Sequence, residues 1–211
     1  MKSQPVSRKR VYLVWSAFLL VVIAPIAGAA LSPLLAWREP VYVVAGFAGV
    51  IAFALLLAQP VLIAGYLPGI SLKISKRVHR WVGATLVIFV VVHVAALWLT
   101  SPPDVIDALL FSSPTPFSVW GVIAMWALFA AAIVALMRNK FNLQPRQWRR
   151  MHTSLTTIVI VGTVAHALLI EGTMETASKA LLCIAVVIVG FKSLSDLKVW
   201  RLWQFSGRRH R

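Results

Sequence analysis

The stretch HRWVGATLVIFVVVH, residues 79–93, is apolar almost throughout and carries a histidine at each end. It has a counterpart in HTSLTTIVIVGTVAH, residues 152–166, with the same interval of fourteen between the terminal histidines. Fourteen helical steps rise about 21 Å and fall only about 40° short of four full turns. If each segment is a helix, its two imidazoles therefore share one face at two well-separated levels.

Composition says which solvent such helices meet. The chain has 211 residues, 60% hydrophobic and 13% charged, and its mean hydropathy is +0.84. That is too apolar for an ordinary soluble domain. Hydrocarbon about 30 Å thick needs about 20 apolar residues per helical span. Six such runs lie near Val11–Leu31, Val41–Tyr66, His79–Leu99, Val119–Met137, His152–Ile170 and Ala177–Phe191. Backbone groups in lipid must bond internally, so the runs read as helices. The expected fold is all-α: a six-helix transmembrane bundle forming a single domain over 1–211. Within it, 1–10 is a basic N-terminal segment, 11–193 holds the spans and 194–211 is a basic tail. Lys2, Arg8, Lys9 and Arg10 followed by an apolar run and AGAALS partly imitate a secretory signal. The apolar core exceeds the usual signal length, which favours an uncleaved first span.

Charge sets the expected orientation, because Lys and Arg gather in short cytoplasmic loops. Nineteen of the 21 basic residues lie before span one, between spans two and three, after span four, or after span six. Five of the six acids (Glu39, Asp104, Asp107, Glu171, Glu175) lie in the alternate loops. Both termini are thus expected in the cytoplasm, with the chain in a bacterial inner membrane. A net charge of +15 divided among loops is topological and does not suggest nucleic acid as a partner. The loop RNKFNLQPRQWRR and the tail GRRHR can also attract anionic lipid or an acidic cytoplasmic partner.

In this orientation spans three and five run parallel, so His79 opposes His152 at the inner level and His93 opposes His166 at the outer one. Each opposed pair can ligate one iron from both axial sides, and haem iron accepts imidazole in that position. A single intramembrane histidine is more often a helix–helix hydrogen-bonding residue or part of an ion path. Four at two equal intervals favour ligation, and stacked haems form a transmembrane electron path. Gly83 and Gly162 lie one turn from a histidine and would let a flat macrocycle approach the backbone. Thr85, Thr153, Thr156, Thr157 and Thr163 offer hydroxyls that could orient an imidazole. Arg77, Arg80, Arg149 and Arg150 could pair with haem propionates, or simply supply interfacial charge.

These residues carry a resemblance. The paired histidine helices, HRWVG opening the third span, RQWRRMH opening the fifth and the six-helix layout resemble the ferric reductase-like transmembrane domain. That domain is shared by ferric reductases, NADPH oxidases and the haem-binding membrane subunit of the bacterial periplasmic methionine sulfoxide reductase system. The resemblance implies two b-type haems, on His79 with His152 and on His93 with His166. In size the chain is most similar to the bacterial subunit. It departs from that subunit's pattern in carrying His79 where arginine is usual, and fourteen rather than thirteen residues between the ligands of the fifth span.

What is missing narrows the expected chemistry. There is no G-x-G-x-x-G after a strand and no soluble stretch to enclose FAD or NADPH. Cys183, the only cysteine, excludes a C-x-x-C-H haem and a four-cysteine iron–sulfur cluster within the chain, and reads as a packing residue. Electrons are therefore expected from a cytoplasmic flavin reductase or a membrane quinol, with FMN or FAD on that partner or at the cytoplasmic face. They would leave to a periplasmic acceptor, either a ferric chelate or a periplasmic reductase such as methionine sulfoxide reductase. The proline-rich segment 100–118 reads as a docking or lid element, or as a plain connector that caps the bundle. Trp37, Trp81, Trp98, Trp120, Trp148, Trp200 and Trp203 fit an interfacial belt, though Trp81 or Trp148 could stack near the inner haem. Two other readings are a structural or assembly protein of the membrane and a proton- or solute-coupled transporter. The transporter reading is weakened because every Asp and Glu lies near a span end.

Overall fold

The structure, a computed structural model, describes residues 7–138, 140, 142–172 and 174–202. Lys2 and the tail residues Trp203, Arg208, Arg209, His210 and Arg211 lie outside the described residues. Seven α-helices account for nearly everything described, with two short 3-10 turns at Pro33–Leu35 and Val199–Leu202 and no strand among the described residues. The helices are α1 (Arg8–Ala30), α2 (Pro40–Ala64), α3 (Leu72–Thr100), α4 (Pro102–Leu109), α5 (Pro116–Leu136), α6 (Pro145–Leu169) and α7 (Thr176–Asp196). All except α4 are long and apolar enough to cross a membrane.

Local chemistry sets the ends. Proline, whose missing N–H costs nothing in a first turn, opens α2, α4, α5 and α6. Ser71 caps α3 by accepting from the Ile74 N–H, and Gly65, at φ 69°, closes α2 in the left-handed conformation. Two expectations need correction. First, α3 and α6 each begin seven residues before their first histidine, because Leu72–Val78 and Pro145–Met151 are capped helix despite their charges. His79 and His152 therefore lie about two turns inside their helices. Second, the segment 100–118 is more than a connector: Pro102 and Pro103 start α4, since proline blocks a helix interior but suits its first turn.

The bundle is built from two hairpins. In one, α2 packs mainly on α3; in the other, α5 packs mainly on α6, and α3 and α6 scarcely meet. In lipid, close packing rather than water exclusion joins helices, which favours small residues at the contact. Ala45, Ala48, Ala52, Ala54 and Ala58 are buried on α2, and Ala124, Ala127 and Ala131 on α5. Gly162 is a sharp instance: a Cβ there would meet the Trp120 carbonyl and the Ala124 side chain at 3.0 Å, so any larger residue pushes α6 off α5. The first hairpin is further pinned by Ser75, buried on α3, whose hydroxyl donates to the Leu62 carbonyl at 2.5 Å. Helix α7 closes the bundle with Leu182 and Val186 fully buried, while Ile184, Ile188 and Phe191 on its other face are exposed, as lipid contact requires.

Candidate haem-binding site

Neither His93 nor His166 is oriented by its own helix. His93 Nδ1 lies 2.7 Å from the Ala45 carbonyl on α2, and His166 Nδ1 lies 2.9 Å from the Phe117 carbonyl on α5. A carbonyl oxygen only accepts, so in each ring Nδ1 carries the proton and donates. Nε2 keeps its lone pair, the tautomer a metal needs. Both rings line a single cavity of about 690 Å³ enclosed by the two hairpins, α4 and the start of α7.

Two glycines make those ring positions attainable. A Cβ on Gly49 would stand 3.1 Å from His93 Nδ1, and one on Gly121 only 2.7 Å from His166 Nδ1. Each glycine lies one turn beyond the carbonyl that accepts from the same histidine. Each imidazole is thus laid against bare backbone and bonded to it. The Phe117 ring adds an edge contact to His166, 5.8 Å between centroids at 73°.

The other pair is held differently. His79 Nδ1 reaches the Gln59 carbonyl at 3.3 Å. His152 is directed at the Ala131 carbonyl, yet its buried Nδ1 closes no hydrogen bond of standard geometry. Instead Trp148 stacks on the ring, with centroids 5.4 Å apart and planes 9° from parallel. The Arg138 guanidinium covers Trp148 at 4.9 Å from its centroid. Gln59 Nε2 and Trp148 Nε1 are also buried without partners at this level.

The intervals reveal an internal repeat. Ala45 and Gln59 are fourteen residues apart on α2, as Phe117 and Ala131 are on α5, matching in reverse the fourteen between histidines on α3 and α6. Adding 72 to Ala45, Gly49 or Gln59 gives Phe117, Gly121 or Ala131, and adding 73 to His79 or His93 gives His152 or His166. The same offsets relate cavity-lining residues: Phe53 to Met125, Leu56 to Leu128 and Leu86 to Val159.

Several expectations change here. Gly83 faces the Gln59 side chain at 3.6 Å and Gly162 faces α5, whereas Gly49 and Gly121 back the imidazoles of His93 and His166. Backbone carbonyls replace the expected hydroxyls. Thr156 and Thr157 donate to the Thr153 carbonyl of their own helix, Thr85 is exposed, and Thr163 lines the cavity without orienting a ring. Trp81 is 72% exposed and stacks on no histidine among the described contacts, whereas Trp148 stacks on His152. Arg77, Arg80 and Arg149 are exposed, and Arg150 Nε donates to the Leu202 carbonyl at 2.5 Å. The carbonyls bear no side-chain signal, but the glycines do: a search at an offset of 72 finds them.

No cluster of three or more His, Cys, Asp and Glu side chains among the described residues could hold a bare metal ion. Two imidazoles lining one cavity suit instead a metal whose remaining ligands come from a flat macrocycle. The donor tautomer and the glycine-backed rings fit that group at the His93–His166 level. Residues 45–163, more than half of the chain, match the family model described as ferric reductase like transmembrane component, a span that includes both glycines and three of the four histidines. No curated protein and no solved structure matches the chain. On that match over most of both hairpins, the chain belongs to the ferric reductase-like transmembrane family.

Proposed function

We propose that the protein is a membrane b-type cytochrome subunit that carries electrons across a bacterial inner membrane. In this reading His79 and His152 hold one haem toward the cytoplasm, and His93 and His166 hold a second toward the periplasm. The observation that carries it is the backbone-fixed tautomer of His93 and His166, whose Nε2 lone pairs are left for iron in a shared cavity. Bound there, a haem would supply reversible one-electron exchange at its iron. The chain's part is to fix both imidazoles, exclude water with an apolar lining and hold the two levels about 21 Å apart along the helices. Family membership supports a role in membrane electron transfer.

The donor is a cytoplasmic flavin reductase, with its FMN or FAD on the partner or at this face, or a membrane quinol. The acceptor is a ferric chelate or a periplasmic reductase such as methionine sulfoxide reductase. Arg77, Arg80 and Arg149, exposed near the His79–His152 level, are available to haem propionates or to an anionic donor, whereas Arg150 is engaged at Leu202.

The test is a spectrum. Protein purified from haem-replete cells is expected to show bis-histidine b-haem bands at about two haems per chain in its oxidised and dithionite-reduced spectra. A colourless protein overturns the reading. Comparing NAD(P)H plus a flavin reductase against a quinol then identifies the donor.

A further inference from the structure

Among the described residues, Lys179 is the one lysine or arginine that lines the His93–His166 cavity. With Arg38 it is one of only two basic residues outside the loops and ends that carry the other nineteen. It sits in the first turns of α7, half-buried, with Nζ donating to the Ile170 carbonyl at 2.9 Å. A neutral carbonyl does not balance an ammonium in an apolar wall, and buried charges call for a counter-charge.

The obvious counter-charge is engaged elsewhere. Glu175 precedes Lys179 by four residues, the spacing of a helical ion pair. Its two carboxylate oxygens instead accept from the Ala177 and Ser178 N–H groups, at 3.0 and 3.1 Å, and so cap α7. Those two donors also hold the Glu175 carboxyl below the ordinary carboxylate range, keeping it ionised and in place. Asp104 lines the same cavity but forms no ion pair with Lys179. An ammonium with one neutral partner therefore lines a cavity whose other polar lining includes Asp104 and the hydroxyls of Thr100, Ser113 and Ser118.

We propose that Lys179 binds a carboxylate on the edge of the macrocycle held between His93 and His166, making it a positioning residue for that group. The inference rests on the haem reading above and assigns a role in that cavity, whose wall carries no arginine among the described residues. A lysine there fixes which edge of the macrocycle faces the mouth. It also places a positive charge beside the iron, which favours the reduced state.

The test uses the full-length protein with its haem, measuring haem transfer to excess apomyoglobin. Lys179→Met is expected to bind haem with unchanged bis-histidine bands but to release one haem about tenfold faster, the scale of one charge-assisted hydrogen bond. Its reduction potential should fall, and Lys179→Arg should restore both properties. Wild-type protein reconstituted with iron protoporphyrin dimethyl ester, which lacks carboxylates, should release it as fast as Lys179→Met releases haem, and Lys179→Met should add nothing further. If the variant's release is unaltered with haem, or its effect persists with the ester, the assignment to Lys179 is overturned while the haem reading stands. A chain that takes up no haem overturns both.

Discussion

The two histidine levels share one interval and one pair of helices, yet they are built by different means. At His93–His166 each ring is bonded to a backbone carbonyl, at 2.7 and 2.9 Å, and laid against a glycine. At His79–His152 one bond lengthens to 3.3 Å, the other is missing, and an indole takes over the task of holding the ring. A carbonyl contact fixes both orientation and tautomer. A stacked indole fixes only the ring plane and leaves the proton free to choose its nitrogen. The first level is thus held in the tautomer that the proposed ligation needs, while the second keeps buried polar atoms without a partner among the described residues. Regular spacing in sequence establishes where side chains stand, and the neighbouring helix decides what they are ready to do.

Breaking the difference outright takes a ligand. Replacing His93 or His166 with alanine should remove about half of the bound haem, measured as pyridine haemochromogen per chain, and leave the bands of the other level. Retention of both haems in either variant would sink the ligand assignment. The glycines come next, because they exist for one level alone. Gly121→Ala places a methyl group 2.7 Å from His166 Nδ1 and should weaken haem binding there about 10- to 100-fold, the usual penalty for disturbing a group that orients a ligand. Gly49→Ala, with its looser 3.1 Å approach, should cost less, and Gly83→Ala, in ordinary contact at 3.6 Å, close to nothing. Haem titrations of the three variants that fail to fall in this order would erase the distinction drawn between the levels.

Smaller effects sharpen the other side. Trp148→Leu removes the stack on His152, worth about 0.5–1.5 kcal/mol, so affinity should fall at most about tenfold, and only at the His79–His152 level. An equal loss at both levels would show Trp148 acting on the bundle as a whole. The smallest effect lies at the α2–α3 turn on the same side, where the Tyr66 hydroxyl donates to Asp196 at 2.7 Å. Partial burial, together with Asp196, pushes Tyr66 from 10.0 to about 12. The folded protein therefore holds this proton more tightly than the unfolded chain does. Its contribution to stability is complete below pH 10 and is lost as pH rises toward 12. Melting curves of wild type and Tyr66→Phe should differ by a constant small amount up to about pH 10 and converge above it; a gap that widens with pH would contradict the assignment.

Much of this was legible before any coordinates. The six spans follow from apolar length, and the four histidines stand out because imidazoles are rare in lipid. What escaped notice has physical reasons. The Ala45 and Phe117 carbonyls belong to the main chain, so no residue type marks them. Gly83 and Gly162 attracted attention through proximity along their own helices, whereas the glycines that matter stand on the neighbours, and which neighbour packs where is a tertiary fact. The helix in 100–118 went unread because proline's effect changes sign at a helix start, where Pro102 and Pro103 stand. Lys179 was lost in a charge count that rightly used the other nineteen basic residues for topology.

The offset of 72 within α2 and α5, and of 73 within α3 and α6, places the one extra residue in the turn of the second hairpin, 137–144 against 65–71. Each hairpin therefore carries its own two histidines, with the carbonyl and glycine that orient His93 or His166, and needs the other only as the opposite wall. The covalent connection through α4 supplies no ligand and no backing carbonyl. Severed there, the halves could be encoded by separate genes and still meet as subunits. Two copies of the chain could equally trade halves without altering a single ligand contact, so an interlocked dimer and a lone monomer would present the same two rings to the same cavity.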